Sequence, residues 1–142
     1  MEGNDSTDNP PSVLIVDDNR DSADGLSMLL QGWGCRTDTA YNGAEAFTAA
    51  TQLKPDAVVL DLCMPDPNGI ETCRRIREQP WATETVIVGV TGSWIAQEAA
   101  LKQCSFDGVF LKPDEVEPLR GLIETLHRQK LVYKRSETKT LG

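Results

Sequence analysis

Four short apolar runs punctuate the chain: Val13 to Val16, Ala57 to Leu60, Val86 to Val90 and Val109 to Leu111. They lean toward β-branched residues and are bounded by turn formers, the pattern of strands buried on both faces. A weaker strand, Cys35 to Thr39, follows Gly32 and Gly34. Helical spacing fills the gaps between them. Leu26, Leu29, Leu30 and Trp33 recur along one stretch, and Asn42 with Glu45 resembles a capping box opening a helix toward Leu53. Gly69 to Glu78 and Trp94 to Cys104 supply two more helices. Leu119, Leu122, Ile123 and Leu126 form the i, i+3, i+4, i+7 stripe of a last one beginning near Glu115.

Strand and helix thus alternate five times, which predicts an α/β fold: a doubly wound, five-stranded parallel sheet with helices on both faces. Right-handed crossovers follow from strand and helix chirality. In such folds functional groups gather beyond the carboxyl ends of the strands. Here Asp17 and Asp18 follow the first strand, Asp61 the third, Thr91 the fourth, and Lys112-Pro113 the fifth. The reactive side chains all fall on one rim.

A length of 142 residues, with 39% hydrophobic and 25% charged, suits one domain over 12–128 with short tails. The predicted tails are a flexible acidic one over 1–11 and a basic one over 129–142, solvated and mobile from Lys130 onward. The net charge of −8 argues against nucleic acid on the domain body, because phosphate contacts need clustered Lys and Arg. Five basic residues against one acidic from Arg128 to Gly142 make that end +4, leaving −12 for the rest. No apolar run reaches membrane-spanning length, and the N-terminus lacks the basic-then-apolar order of a secretory leader. A cytoplasmic protein that does not bind membranes is expected. Cys35, Cys63, Cys73 and Cys104 are scattered, away from the sole histidine, His127, so reduced thiols are expected and no zinc site.

Three carboxylates on one rim repel one another, and a divalent cation is the natural remedy. Carboxylate and carbonyl oxygens are hard ligands suited to Mg²⁺ or Mn²⁺. Mg²⁺ commonly completes its shell with a phosphate, so the rim looks built to receive a phosphoryl group. A lysine such as Lys112 can neutralise charge on phosphoryl oxygens, the Thr91 hydroxyl can hydrogen-bond one of them, and an Asp can itself be the nucleophile. Each residue alone has a plainer role. Asp17 and Asp18 could cap the first helix, Thr91 could be an ordinary strand-end hydroxyl, and Lys112 a solvated lysine. Pro113 suggests a fixed peptide, with cis geometry open to it, that aims Lys112 inward. The Cys63 thiol is read as a neutral edge group, His127 has no catalytic role, and only Trp94 among the tryptophans is placed to feel the site.

Val-Asp17-Asp18-Asn19, Asp61-Leu-Cys-Met64-Pro65-Asp-Pro-Asn68-Gly69, Val90-Thr91-Gly92 and Lys112-Pro113 together resemble the receiver domain of two-component response regulators, over about 12–128. The resemblance implies a flavodoxin-like (βα)5 fold. It implies that Asp61 accepts a phosphoryl group from a phosphohistidine of a histidine kinase or phosphotransfer protein, and that the result is passed to a downstream protein target. It implies Mg²⁺ held by Asp17, Asp18, Asp61 and the Cys63 carbonyl, with Thr91 and Lys112 on the phosphoryl group. Such a protein signals; its only catalysis is its own phosphorylation and dephosphorylation. One position departs from the pattern. Receivers commonly carry an aromatic residue or His three positions before the lysine, where this chain has Val109; strand alternation turns the adjacent Phe110 to the opposite face.

Three other readings compete. A Mg²⁺-dependent phosphatase with an aspartyl-phosphate intermediate of the haloacid-dehalogenase type needs D-x-D after the first strand, which Asp17-Asp18-Asn19 lacks. A flavodoxin-like cofactor binder needs a Gly, Ser and Thr-rich first loop instead of an acidic one. A phosphorylation-independent scaffold would have lost an acidic residue or the acceptor, and none is lost.

Overall fold

The computed structural model describes 9–141, with side chains over 9–131. Five parallel strands, β1 (Ser12–Val16), β2 (Arg36–Ala40), β3 (Ala57–Asp61), β4 (Val86–Thr91) and β5 (Gly108–Leu111), stand in the order β2-β1-β3-β4-β5. The helices are α1 (Arg20–Gly32), α2 (Gly43–Leu53), α3 (Gly69–Arg77), α4 (Trp94–Gln103) and α5 (Val116–Leu141). The predicted fold class holds, and β2 lies one residue later than expected. A 3₁₀ turn over Pro80–Glu84, with no counterpart in the expected elements, precedes β4.

Alternation along the strands divides the core between the two sheet faces. Val13, Ile15, Val59, Val88 and Val90 pack with Leu30 of α1 and Leu119, Ile123 and Leu126 of α5. Leu14, Val16, Val58, Leu60 and Ile87 pack with Ala46 and Ala50 of α2 and Cys73 and Ile76 of α3. A third group, Leu62, Ala100 and Val109, lies under α4. Because the central strands are covered on both sides, their sequences are unbroken apolar runs. On α1 the inward positions are Ala23, Ser27 and Leu30. Leu29, expected in the stripe, is exposed, since one residue turns the helix by about 100° away from Leu30.

The helix starts follow from local polar chemistry. Asn19, Asn42, Asn68 and Ser93 each accept a backbone N–H of the first turn of α1, α2, α3 and α4. At α2 the capping box is displaced by one: Glu45 accepts from the N–H of Tyr41, not of Asn42, at 3.0 Å.

At both chain ends the described residues run past the expected domain bounds. Residues 1–8 lie outside the described residues, but the Pro11 carbonyl accepts from Arg36 N–H at 2.8 Å, so the segment entering β1 is already tied to β2. The predicted basic tail continues α5 to Leu141. Lys130, expected to be solvated, reaches Asp56 at 3.1 Å and the Asn9 side chain at 3.3 Å. Asp56 also receives the Ser12 N–H at 2.8 Å, which joins the foot of β1 to α5. Beyond Leu131 the side chains, including Lys134, Arg135 and Lys139, lie outside the described residues. His127 bonds the Trp33 carbonyl at 2.8 Å, in keeping with a packing role.

Candidate functional site

Each expected site residue stands at or just past the carboxyl end of a strand. Asp17 and Asp18 leave β1 and Asp61 ends β3, one position below Leu62, whose N–H bonds the Val90 carbonyl at 3.1 Å. Parallel register brings these ends level. Asp17, Asp18 and Asp61 each offer a carboxylate oxygen, all within 4.8 Å of one another.

Helix capping, the plainer role for the aspartates, falls to Asn19 instead. Asp17 accepts the Asn19 N–H through Oδ1 at 2.9 Å, a bond that fixes its carboxylate beside the rim rather than on the helix. Burial pushes the Asp17 carboxyl above its ordinary range, and the facing Asp61 raises it further. The Asn19 N–H and Lys112 pull the other way without restoring it. Asp61 accepts the Cys63 N–H through Oδ1 at 3.0 Å, which orients its carboxylate.

Lys112 is held by its backbone, whose N–H donates to the Thr91 carbonyl at 2.8 Å, and the Lys112-Pro113 peptide is cis, as is Asp66-Pro67. Its ammonium lies 4.0 Å from Asp17 Oδ2, so it does turn toward the rim, with a half-exposed side chain. Among the described residues Lys112 pairs with Asp17, not Asp61. Thr91 is buried, its Oγ accepting the Ser93 N–H at 3.1 Å and meeting the exposed Cys63 thiol at 3.4 Å. The site therefore contains an acidic pocket, one ammonium and one hydroxyl.

One backbone feature and one side-chain bond hold the rim in shape. Gly69 opens α3 against the end of β3, where an added Cβ would sit 2.6 Å from the Asp61 carbonyl oxygen. The backbone loop can pass this close only with glycine there. Gln97 was not singled out from sequence, because a lone helical Gln has no distinguishing pattern. Its side-chain amide donates to the Val109 carbonyl at 2.8 Å, tying α4 to β5. Ser93 was equally unmarked, though a Ser just before a helical pattern is a recognisable cap.

The side-chain donors gathered here are all carboxylate oxygens, and a single partly exposed ammonium leaves them net negative. That composition fits a small hard divalent cation.

Over 13–124 the chain matches the family model for the response regulator receiver domain, and it belongs to that family. The relatives include the DNA-binding response regulator MtrA of Mycobacterium tuberculosis (strain ATCC 25618 / H37Rv), 43% identical over 65 residues that are 46% of this chain and 28% of MtrA. The response regulator ArlR of Staphylococcus aureus is 31% identical over 82% of this chain and 52% of ArlR. The sensor histidine kinase AtsR of Burkholderia thailandensis is 33% identical over 84% of this chain and 22% of AtsR. This chain thus spans about half of ArlR and under a third of the other two. Among solved structures, the chemotaxis protein CheY4 of Vibrio cholerae superposes with a TM-score of 0.69 at 28% identity, over 84% of this chain and 98% of that one. A CheY-like receiver domain from Methylobacillus flagellatus gives 0.73 at 26% identity, over 82% and 98%. The chain is a receiver module of two-component signalling. Among the described residues, no helix is long and apolar enough to cross a membrane.

Proposed function

We propose that the chain is a phospho-accepting receiver in which Asp61 takes a phosphoryl group from the phosphohistidine of a histidine kinase or phosphotransfer protein. The reading rests above all on the carboxylates of Asp17, Asp18 and Asp61 gathered within 4.8 Å, on the rim that also carries Thr91 and Lys112. An Asp61 carboxylate oxygen attacks phosphorus, the P–N bond breaks, and its electron pair returns to the donor imidazole. Asp61 is suited to this by its half-buried position and by the Cys63 N–H, which holds the carboxylate at a fixed angle. The Lys112 ammonium offsets charge on the phosphoryl oxygens, and the Thr91 hydroxyl donates to one of them, exchanging its contact with Cys63.

Asp17, Asp18, Asp61 and the Cys63 carbonyl would hold Mg²⁺, or Mn²⁺ in its place. The ion, when bound, neutralises the carboxylates and stabilises the charge of the transferring phosphoryl group. Hydrolysis of the acyl phosphate by water ends the signal, so the only catalysis is self-directed. A downstream protein target reads the phosphorylated surface, and neither nucleic acid nor membrane is a partner of this domain. A cytoplasmic setting belongs to the same reading.

Acetyl phosphate with Mg²⁺ tests it. The intact mass should rise by about 80 Da for one phosphoryl group. Borohydride trapping should place it on Asp61. Asp61→Asn should abolish the gain, and Asp18→Ala should abolish Mg²⁺ binding. Labelling that persists in Asp61→Asn would overturn the assignment. A protein that takes no phosphoryl group, yet folds and binds Mg²⁺, would be a phosphorylation-independent scaffold.

A further inference from the structure

Two of the four cysteines meet well away from the acidic rim. Cys73 lies on the inward face of α3 with no exposed surface, and Cys104 is the half-buried residue that caps the end of α4. They are 31 residues apart in the chain, yet their sulfurs are 2.7 Å from each other. The two free thiols thus share an S–H···S contact, Cys104 donating, which brings together the atoms that a disulfide joins at about 2.05 Å. Cys104 is the partner free to make it, because its backbone has left the helix and is extended. The pairing is selective. Cys35 packs in the cluster on the opposite face of the sheet and Cys63 stands at the rim.

We propose that Cys73 and Cys104 form a reversible disulfide that fastens the end of α4 to α3 when the protein meets a hydroperoxide. The roles of the two sulfurs differ. Burial drives the Cys73 thiol far above its ordinary range, and the neighbouring Cys104 raises it further, so Cys73 stays protonated. The half-buried Cys104 is the attacking group. Its sulfur attacks a peroxide oxygen, the O–O bond breaks, and with the thiol proton carried off by the leaving oxygen the products are a sulfenic acid and water. The Cys73 sulfur then attacks the Cys104 sulfur, the S–O bond breaks, and a second water leaves carrying the Cys73 proton. Two thiols and one peroxide thus give one disulfide and two waters. A dithiol reductant reverses the bond by exchange. None of these steps involves Asp61, so the inference stands apart from the phosphoryl reading. It does bear on α4 as a whole, because the other end of that helix is capped by Ser93, whose N–H bonds Thr91.

The full chain treated with hydrogen peroxide should weigh about 2 Da less than the reduced protein before alkylation, and after denaturation and alkylation it should carry two fewer alkyl groups. Digestion without reductant should yield one linked peptide joining Cys73 and Cys104, absent from Cys104→Ser and from Cys73→Ala. Circular dichroism establishes that both variants fold; Cys104→Ser carries the comparison if the buried substitution does not. Amide exchange over the last turn of α4, Ala100 to Cys104, should slow by about tenfold on oxidation and recover with dithiothreitol. If peroxide oxidises only Cys63 and leaves Cys73 and Cys104 alkylatable, the disulfide is wrong. If the bridge forms with α4 exchange unchanged, the fastening is wrong.

Discussion

Val109 and Phe110 are adjacent in β5 and face opposite sides of the sheet: Val109 is buried with Leu62 and Ala100 under α4, whereas Phe110 packs against the cluster beneath α1 and α5. The ring next door therefore cannot stand in for the aromatic residue that receivers commonly carry at the Val109 position. A buried valine also has too little reach to present two different surfaces. On the proposed function, the Thr91-Gly92-Ser93 loop, which leads directly into exposed Trp94, would have to carry any change on phosphorylation. With beryllofluoride and Mg²⁺, tryptophan emission should change in the parent protein, and most of that change should vanish in Trp94→Phe. A response that survives in Trp94→Phe but disappears in Val109→Ala would return the switch to β5.

The raised carboxyl of Asp17 makes the metal-free fold pH-dependent in a definite direction. A carboxyl that binds its proton more tightly folded than unfolded contributes stability below its unfolded pKa, and loses that contribution as pH rises through the folded value. Metal-free protein should accordingly lose stability as pH climbs from acid toward neutral through this group, and Asp17→Asn should flatten that part of the profile. A divalent cation removes the Asp17–Asp61 repulsion only in the folded state. The melting shift produced by millimolar Mg²⁺ should thus be larger at pH 7.5 than at pH 4.5. Thermal melts at both pH values, with and without Mg²⁺, measure it, and an equal shift at the two would contradict the cause assigned to Asp17.

The parts of this fold that could be read from sequence are those whose surroundings impose a local pattern. β1, β3 and β4 are covered on both faces and so appear as apolar runs, and their ends locate Asp17, Asp61 and Thr91. β2 is an edge strand in which exposed Arg36 and Asp38 interrupt the signal, and its position was off by one. The turn at Pro80–Glu84 is too short to show a period. The continuation of α5 past the expected domain bound was not legible for another reason. The apolar stripe stops at Leu126, but the partners of Lys130 are distant in sequence and invisible to any local pattern. The same applies to the contacts of Cys63 with Thr91, Gln97 with Val109, and Cys73 with Cys104, which exist only because the sheet brings separate loops together.

The Lys130–Asp56 pair gives the continued α5 a measurable consequence. Both side chains are about a quarter to a third exposed, which places the pair between a surface and a buried one. Lys130→Ala should destabilise the protein by about 0.5–1 kcal/mol, near the upper end for exposed pairs, because Asp56 keeps its bond from Ser12. The loss should shrink in high salt. Urea unfolding at low and high ionic strength tests this. An unchanged midpoint would mean that α5 gains nothing from its contact with the foot of β1.

Gly69→Ala tests whether the rim depends on backbone packing as well as on charged side chains. The added Cβ would meet the Asp61 carbonyl oxygen at 2.6 Å and the Leu62 Cα at 2.8 Å, both backbone atoms that cannot swing aside. Overpacking of this kind costs about 1–3 kcal/mol. Relief requires α3 and the end of β3 to separate, and that displaces Asp61 from Asp17 and Asp18. Since small misplacements of a reacting group are costly, phosphorylation by acetyl phosphate should slow by about tenfold or more in this variant. Gly25→Ala is the control, because its Cβ meets nothing within 4 Å and alanine favours helix; it should leave the rate unchanged and hold or raise stability. A Gly69→Ala protein that is destabilised yet phosphorylated at the parental rate would show that the acceptor's position does not depend on this contact.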